Sequence, residues 1–452
     1  MKAENSTAVS FFDRSVLPWL ICSLGMLFYC YNYFLRVSPS VMQNDLMQSL
    51  HITAYQFGNL AAFYYYAYTP MQVPIGMIYD RFGARIVLFF ACLIAIIGLS
   101  IFIGANSLGM ASLGRFMIGF GTAFAYIGVL KLASLWLAPN RFATIAGLTT
   151  AFGMASAIFS DIYLTKFVQL LGYKNALYTA LLVGVVLSVF ILLFMRNKPK
   201  VALSQPGANR APLAFRDLLH SLQIVLLKPQ MWLIGVIGCL FYLPASVFLD
   251  LWAIPYLKTV HNLTPEVAAY VVSMTFIGWI IAGPSIGMLS DYYKRRRLPL
   301  MICAVMAAVL LSIVFYVPNI SLFYLYVLFF FIGIFCGAHP LCFALGKENN
   351  PNYISGTAVA VTNTLIMIGG AIFQPVVGKL LDYHTTSTNL AGAIPNYAPA
   401  DYTYALSVVP IGLMLAIVMT FFLKETYCES HEEVTKRQHV GSVFDLQTDT
   451  GN

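Results

Sequence analysis

Residues 17–37 read LPWLICSLGMLFYCYNYFLRV, with a single charge, Arg36, near the end of the run. About 20 consecutive apolar residues is the length of a helix that crosses a bilayer. In lipid every backbone N–H and C=O must be paired within the segment, so such a run forms a helix. The same pattern recurs along the chain. It predicts spans over 16–38, 55–79, 86–105, 109–137, 142–167, 175–195, 231–256, 266–289, 298–317, 321–345, 356–381 and 403–424. The totals agree. Hydrophobic residues are 59% and charged residues 10%, against roughly 45–50% and about 25% in soluble domains. The sequence therefore describes an all-α membrane protein with twelve transmembrane helices.

The charges order these spans. One set of loops holds Arg81, Arg85, Arg141, Arg196, Lys198, Lys200, Arg210, Arg216, Lys228, the basic run 294–297 and Lys347. The alternate set holds little beyond Lys166, Lys174 and Lys258. By the positive-inside rule the first set is cytoplasmic, and an even number of spans puts both termini there. The net charge of +8 is thus a topology signal, not a nucleic-acid footprint. The predicted division is a cytoplasmic segment 1–15, a six-helix bundle 16–195, a linker 196–230, a second bundle 231–424 and a cytoplasmic tail 425–452. The first apolar run is too long for a signal h-region and reads as a retained helix. The eight cysteines form no CxxC pair, and seven lie inside apolar runs. No disulfide, metal site or cofactor is expected.

The halves repeat. Span 2 ends GMIYDRFGAR (76–85) and span 8 ends GMLSDYYKRR (287–296). Gly76 corresponds to Gly287 and Asp80 to Asp291, at an offset of 211. A shared GxxxD at the same end of the same helix in each half indicates two pseudo-symmetric bundles.

On these residues the chain resembles the major facilitator superfamily. That family's loop 2–3 motif, G-x-x-x-D-R-x-G-x-R, is filled by Gly76, Asp80, Arg81, Gly83 and Arg85. Its helix 4 motif, R-x-x-x-G-x-G, is matched by Arg115, Gly119 and Gly121. The resemblance implies the major facilitator fold and alternating access by rocking of the two halves, in a monomeric chain of a bacterial inner membrane. It also implies a gating role for the motif, with Asp80 near the start of span 11, around 355–357, locking the halves while the cavity faces outward, and Asp291 as its echo. More finely, FLRVSPSVM (34–42) is similar to the amino-acid carriers of bacteria that live inside phagosomes. Arg36 and Arg115 also match the organic anion:cation symporter group. That group places acids where this chain has Leu35 and Thr122, so its proton mechanism does not carry over whole. The Gly-Pro pair of the drug exporters is missing from span 5.

Helical spacing sorts the polar residues inside the spans, which in a membrane face a pathway or a partner. Tyr29, Asn32, Tyr33 and Arg36 share one face at i, i+3, i+4 and i+7. Arg115, Thr122 and Tyr126 share another, as do Asn363 and Gln374. Lys131 lies roughly 160° from Arg115 and reads as snorkelling. Tyr65, Tyr68 and Gln72 read as packing, and Glu348 as the local partner of Lys347. Asp250, opposite in charge to Arg36, falls at its position in the second half when the Gly119–Gly333 offset of 214 is applied. The two are expected to approach across the cavity. Asp250, Asp161 and His339 are the proton-coupling candidates.

Two arginines facing a cavity suggest a substrate with a carboxylate, since a guanidinium binds one bidentately. Asp250 would meet an ammonium. The expected function is proton-coupled import of an amino acid or short peptide, with an organic-anion or sugar-acid symporter as the alternative. An exporter and a non-transporting receptor rank lower. No GxSxG, HExxH or Walker loop is present, so an enzyme is not expected.

Overall fold

The computed structural model describes residues 16–137, 141–197, 215–385 and 397–429. Among these the chain is helical throughout, with no strand. The main helices are α1 (Leu17–Val41), α2 (Ala54–Met71), α3 (Ala84–Ile103), α4 (Leu108–Trp136), α5 (Thr144–Leu171), α6 (Tyr173–Phe194), α7 (Pro229–Val260), α8 (Pro265–Tyr292), α9 (Arg297–Tyr316), α10 (Leu322–Glu348), α11 (Asn352–His384) and α12 (Pro399–Thr420). All but α2 are long and apolar enough to cross a membrane, eleven in total among the described residues.

The second expected span, 55–79, is occupied by α2 and, after a break, a short helix, and is not among these eleven. Proline removes a helix N–H, and Pro70 and Pro74 flank a break that separates α2 from a short helix, Ile75–Phe82. The tyrosines of α2 also lower its apolarity. Phe57, Leu60, Tyr64, Tyr65 and Tyr68 are buried in protein, so α2 has little lipid-facing surface to keep apolar. The linker region holds a helix of its own, Phe215–Leu226. Residues 1–15, 198–214 (with Lys198, Lys200 and Arg210) and the tail beyond 429 lie outside the described residues.

The repeat read from the sequence has a packing counterpart. A Cβ added at Gly119 on α4 would lie 2.1 Å from the Tyr64 carbonyl oxygen on α2. One added at Gly333 on α10 would lie 2.0 Å from the Thr275 carbonyl oxygen on α8. In a membrane, helices associate through close backbone approach at small residues, and each half uses the same crossing. Each half also caps its third helix from the segment after its sixth. The Asn197 side chain accepts from the Arg85 N–H at the start of α3, at 2.8 Å. Glu425 accepts from the N–H groups of Arg296 and Arg297 at the start of α9, at 2.7 and 3.0 Å.

Between the halves, α2 and α11 run antiparallel and form a wedge. Added Cβ atoms at Gly58 and Gly378 would meet the backbone of Gln374 and Ala54 at 2.4 and 2.2 Å. Nearer the middle, the Asn363 amide donates to the Gln72 side-chain oxygen at 2.9 Å. Beyond that point Gly76 and Gly356 have no heavy atom within 4 Å of an added Cβ, and both are exposed. The halves are joined at the end where α2 begins and apart at the basic end, where Arg81, Arg85 and Arg296 lie.

Gly119→Val should lower the unfolding temperature in detergent, because a carbonyl must move to make room and overpacking costs about 1–3 kcal/mol. Gly109→Val, where an added Cβ meets nothing within 4 Å, is the matched control. Equal melting of the two variants would refute the close-approach role.

Candidate functional site

The site begins with a proline. Pro39 lies inside α1 and has no N–H to give to the carbonyl four residues back, that of Leu35. A buried carbonyl needs a partner. The Ser38 hydroxyl donates to the Leu35 oxygen at 3.0 Å, and the Arg115 Nη1 donates to it at 2.9 Å. Arg115 Nη2 reaches the Arg36 carbonyl oxygen at 3.5 Å. Arg115, expected to face the cavity, is thus 2% exposed and spent on the backbone of α1. It fixes the helix that carries Arg36.

Arg36 and Asp250 come together across the halves. The Arg36 Nη2 lies 2.6 Å from Asp250 Oδ2, and both side chains are 3% exposed. The Nε donates to the same oxygen at 2.8 Å. The Tyr65 hydroxyl donates to it at 2.6 Å, and Arg36 Nη2 donates to the Tyr242 hydroxyl at 3.0 Å. The rings of Tyr33, Tyr65 and Tyr242 stand 5.2–5.8 Å from the guanidinium carbon, a cation–π enclosure. Two buried charges repay their desolvation only with good geometry and further hydrogen bonds, and here both are present.

The remaining candidates divide. Asn32 accepts from the Tyr64 hydroxyl at 2.5 Å, and Thr122 donates to Tyr64 at 3.3 Å and to the Ile118 carbonyl at 2.8 Å. These form a buried chain inside the first half. Tyr29 packs its ring on Tyr33 and Tyr126, each at 5.2 Å. Gln374 donates to the Ser246 carbonyl at 2.7 Å, and Asn363 bridges to Gln72. His339 lies among the rings of Tyr242, Trp279 and Phe343 at 5.0–5.9 Å. Its Nδ1 is buried without a hydrogen-bond partner. Asp161 is fully buried, and neither carboxylate oxygen has a hydrogen-bond partner. Both acids sit on π-helical turns, Asp161 on Ser160–Leu164 and Asp250 on Pro244–Trp252.

At the basic end two expectations are corrected, and the Asp80 contact with α11, expected while the cavity faces outward, is not formed in this conformation, where the halves are apart. Asp80 pairs with Lys131 at 2.5 Å, with both side chains about a third exposed, so Lys131 has a partner in its own half. Glu348 pairs not with Lys347 but with Arg296, at 2.8 Å. The same arginine meets Asp291 at 2.6 Å. The Arg85 guanidinium bonds the Leu192 carbonyl. Two site residues escaped the sequence reading, Tyr65 and Tyr242. The signal was present in the first case, since Tyr65 stands in the polar stripe of α2. Among the described residues no group of His, Cys, Asp and Glu has the arrangement of a metal site.

The family model described as Major Facilitator Superfamily matches residues 22–374. The chain is 24% identical over 415 residues to the probable galactarate/D-glucarate transporter GudP of Escherichia coli (strain K12), covering 84% of this chain and 91% of the relative. It is 23% identical over 393 residues to the hexuronate transporter of Bacillus subtilis (strain 168), covering 81% and 89%. An uncharacterized transporter of the same Bacillus strain, YybO, is 32% identical over 152 residues, about a third (32%) of each chain. Among solved structures, a bacterial homolog of the human lysosomal transporter Spinster, inward-facing and unoccupied, superposes with a TM-score of 0.67 at 15% identity. That superposition covers 92% of this chain and 97% of the other, which shows a common fold.

Removing one member of the buried pair should destabilise the chain more than removing both. Arg36→Met or Asp250→Leu alone leaves a buried charge unpaired, a loss of about 3–5 kcal/mol. The double variant should recover most of the lost thermal stability in detergent. Equal or additive losses would show that the pair is not held as a desolvated unit.

Proposed function

Given that the chain belongs to the Major Facilitator Superfamily, we propose that it is a secondary transporter that imports a small organic anion with a proton, the anion's carboxylate being recognised by Arg36. The observation that carries this reading is the buried Arg36–Asp250 pair across the halves. A guanidinium binds a carboxylate through two parallel hydrogen bonds. A substrate carboxylate can therefore take the place that Asp250 holds in the closed site. The sugar-acid names of two full-length relatives support an organic anion over the amino acid or peptide expected from the sequence. One observation keeps the zwitterion as a second reading. Asp250 presents a negative charge beside Arg36 within a ring of tyrosines, a setting that also fits an ammonium.

With the basic end in the cytoplasm, as the positive-inside rule has it, this conformation is closed outside and open inside. Tyr65 lies between the contacts at Gly58 and Gln72, so the ion pair sits within the closed zone. For the substrate to reach Arg36 from outside, α2 and α11 must part and Asp250 must lose its partner. Burying an ionised carboxylate without a partner is costly. Asp161, buried and unpaired, is where proton uptake relieves most, and it is the carrier proposed here. His339, packed among aromatic rings, is the secondary candidate. The Asp80 motif serves as the cytoplasmic lock of the opposite state.

Uptake of labelled glucarate, a hexuronate and a neutral amino acid into proteoliposomes tests the substrate class. Arg36→Gln should reduce uptake of the preferred solute by about a hundredfold, the cost of removing one partner of a buried charge pair. Preference for the zwitterion would favour the second reading, and normal uptake by Arg36→Gln would overturn both. Asp161→Asn should keep counterflow while abolishing accumulation driven by a pH gradient. Continued accumulation would remove Asp161 from the proton path.

A further inference from the structure

Asp382, a carboxylate with no part in the substrate site, joins the two halves at the end opposite the motif. It lies in the last turns of α11, which ends at His384. Its Oδ1 accepts from the Ala54 N–H at 3.1 Å and its Oδ2 from the Tyr55 N–H at 3.0 Å. Ala54 and Tyr55 are the first two residues of α2. The Tyr397 hydroxyl donates to Asp382 and accepts from the Ala54 N–H at 2.9 Å.

The first N–H groups of a helix have no partner inside it, and the dipole favours negative charge at that end. Thr53, the helix's own cap, accepts from the Gln56 N–H. Asp382 accepts from the two donors before it. A carboxylate of the second half therefore completes the cap of a helix in the first. The end of α11 is tied to the start of α12, where His384 Nδ1 lies 2.7 Å from Asp401 Oδ1.

A related placement exists at the basic end. The short helix that follows α2, Ile75–Phe82, carries Asp80 near its end as α11 carries Asp382, and Asp80 stands 26 residues after Ala54 where Asp382 stands 27 after Ser355. A helix cannot satisfy its own first N–H groups, so the start of each of α2 and α11 suits a carboxylate. In this conformation the Asp382 end is engaged, while Asp80 is held by Lys131 within its own half.

We infer that Asp382 is a positioning residue of the transport cycle, a latch that holds the outer end closed and exchanges with the Asp80 contact at the basic end. The inference rests on the alternating-access reading above and is independent of which solute is carried. Hydrogen–deuterium exchange on the purified full-length chain tests it without substrate. Asp382→Ala should speed exchange in peptides covering 54–58 and 370–384. It should also slow exchange in peptides covering 75–82 and 355–363, as the population moves by on the order of tenfold toward closure at the basic end. Tyr397→Phe should act in the same direction and less, and Asp80→Asn in the opposite direction. If Asp382→Ala does not fold, Asp382→Asn and Tyr397→Phe give the same readout. Faster exchange at 54–58 with the basic end unchanged would make Asp382 a local cap and overturn the latch, as would no change at all. A failed latch leaves the Asp80→Asn response intact. A failed alternating-access reading abolishes both responses.

Discussion

Two opposite charges with 3% of their side-chain surface exposed set the conditions for everything around them. Neither charge is stable alone at that depth. Tyr65 and Tyr242 complete the hydrogen bonding, three aromatic rings shield the guanidinium, and Arg115 holds the backbone that presents it. Arg36 belongs to the first half and Asp250 to the second, so this local demand becomes a demand on the whole molecule. The halves stay together here unless water, a proton or a ligand takes over one of the two roles. A conformational equilibrium is thereby tied to the occupancy of a few atoms.

Much of this was legible in the chain. The apolar run at 17–37 and its successors identify the class, and the motif at 76–85 with its echo at 287–296 identifies the two halves. The 214-residue separation that relates Gly119 to Gly333 is also the separation of the two members of the ion pair. Pseudo-symmetry thus placed opposite charges at matching depths before any coordinates. The hidden part depends on contacts between helices. Periodicity puts Arg115 on a face of α4 but does not say that a carbonyl on α1 lacks its donor, although Pro39 stands four residues after Leu35. It puts Lys131 away from Arg115 but does not say that Asp80 lies beside it. Tyr65 looks like packing until α7 is laid against α2. The polarity of α2 looks like a weak span until its neighbours are seen to cover it.

Asp161, the proposed proton carrier, and Asp250, the partner of Arg36, share a backbone feature that no pattern of residue types announces. Both lie on π-helical turns, in which the extra residue per turn shifts the face that a side chain presents. Such turns are uncommon and gather at functional sites. The Gln374 amide engages the carbonyl of Ser246 in one of them, so the departure from α-geometry is supported by a side chain from another helix. An ideal wheel drawn through α5 or α7 misplaces every residue beyond the bulge.

The caps supplied by Asn197 and Glu425 have a consequence for the making of the protein. The third helix of each bundle begins with donors whose acceptor lies more than a hundred residues later in the chain. During synthesis α3 remains unfinished until residue 197 has left the ribosome, and α9 until residue 425 has. Chains generally fold unit by unit from the N-terminus as they are made. In this one, each third helix gains its cap only after the last helix of its own bundle has been made.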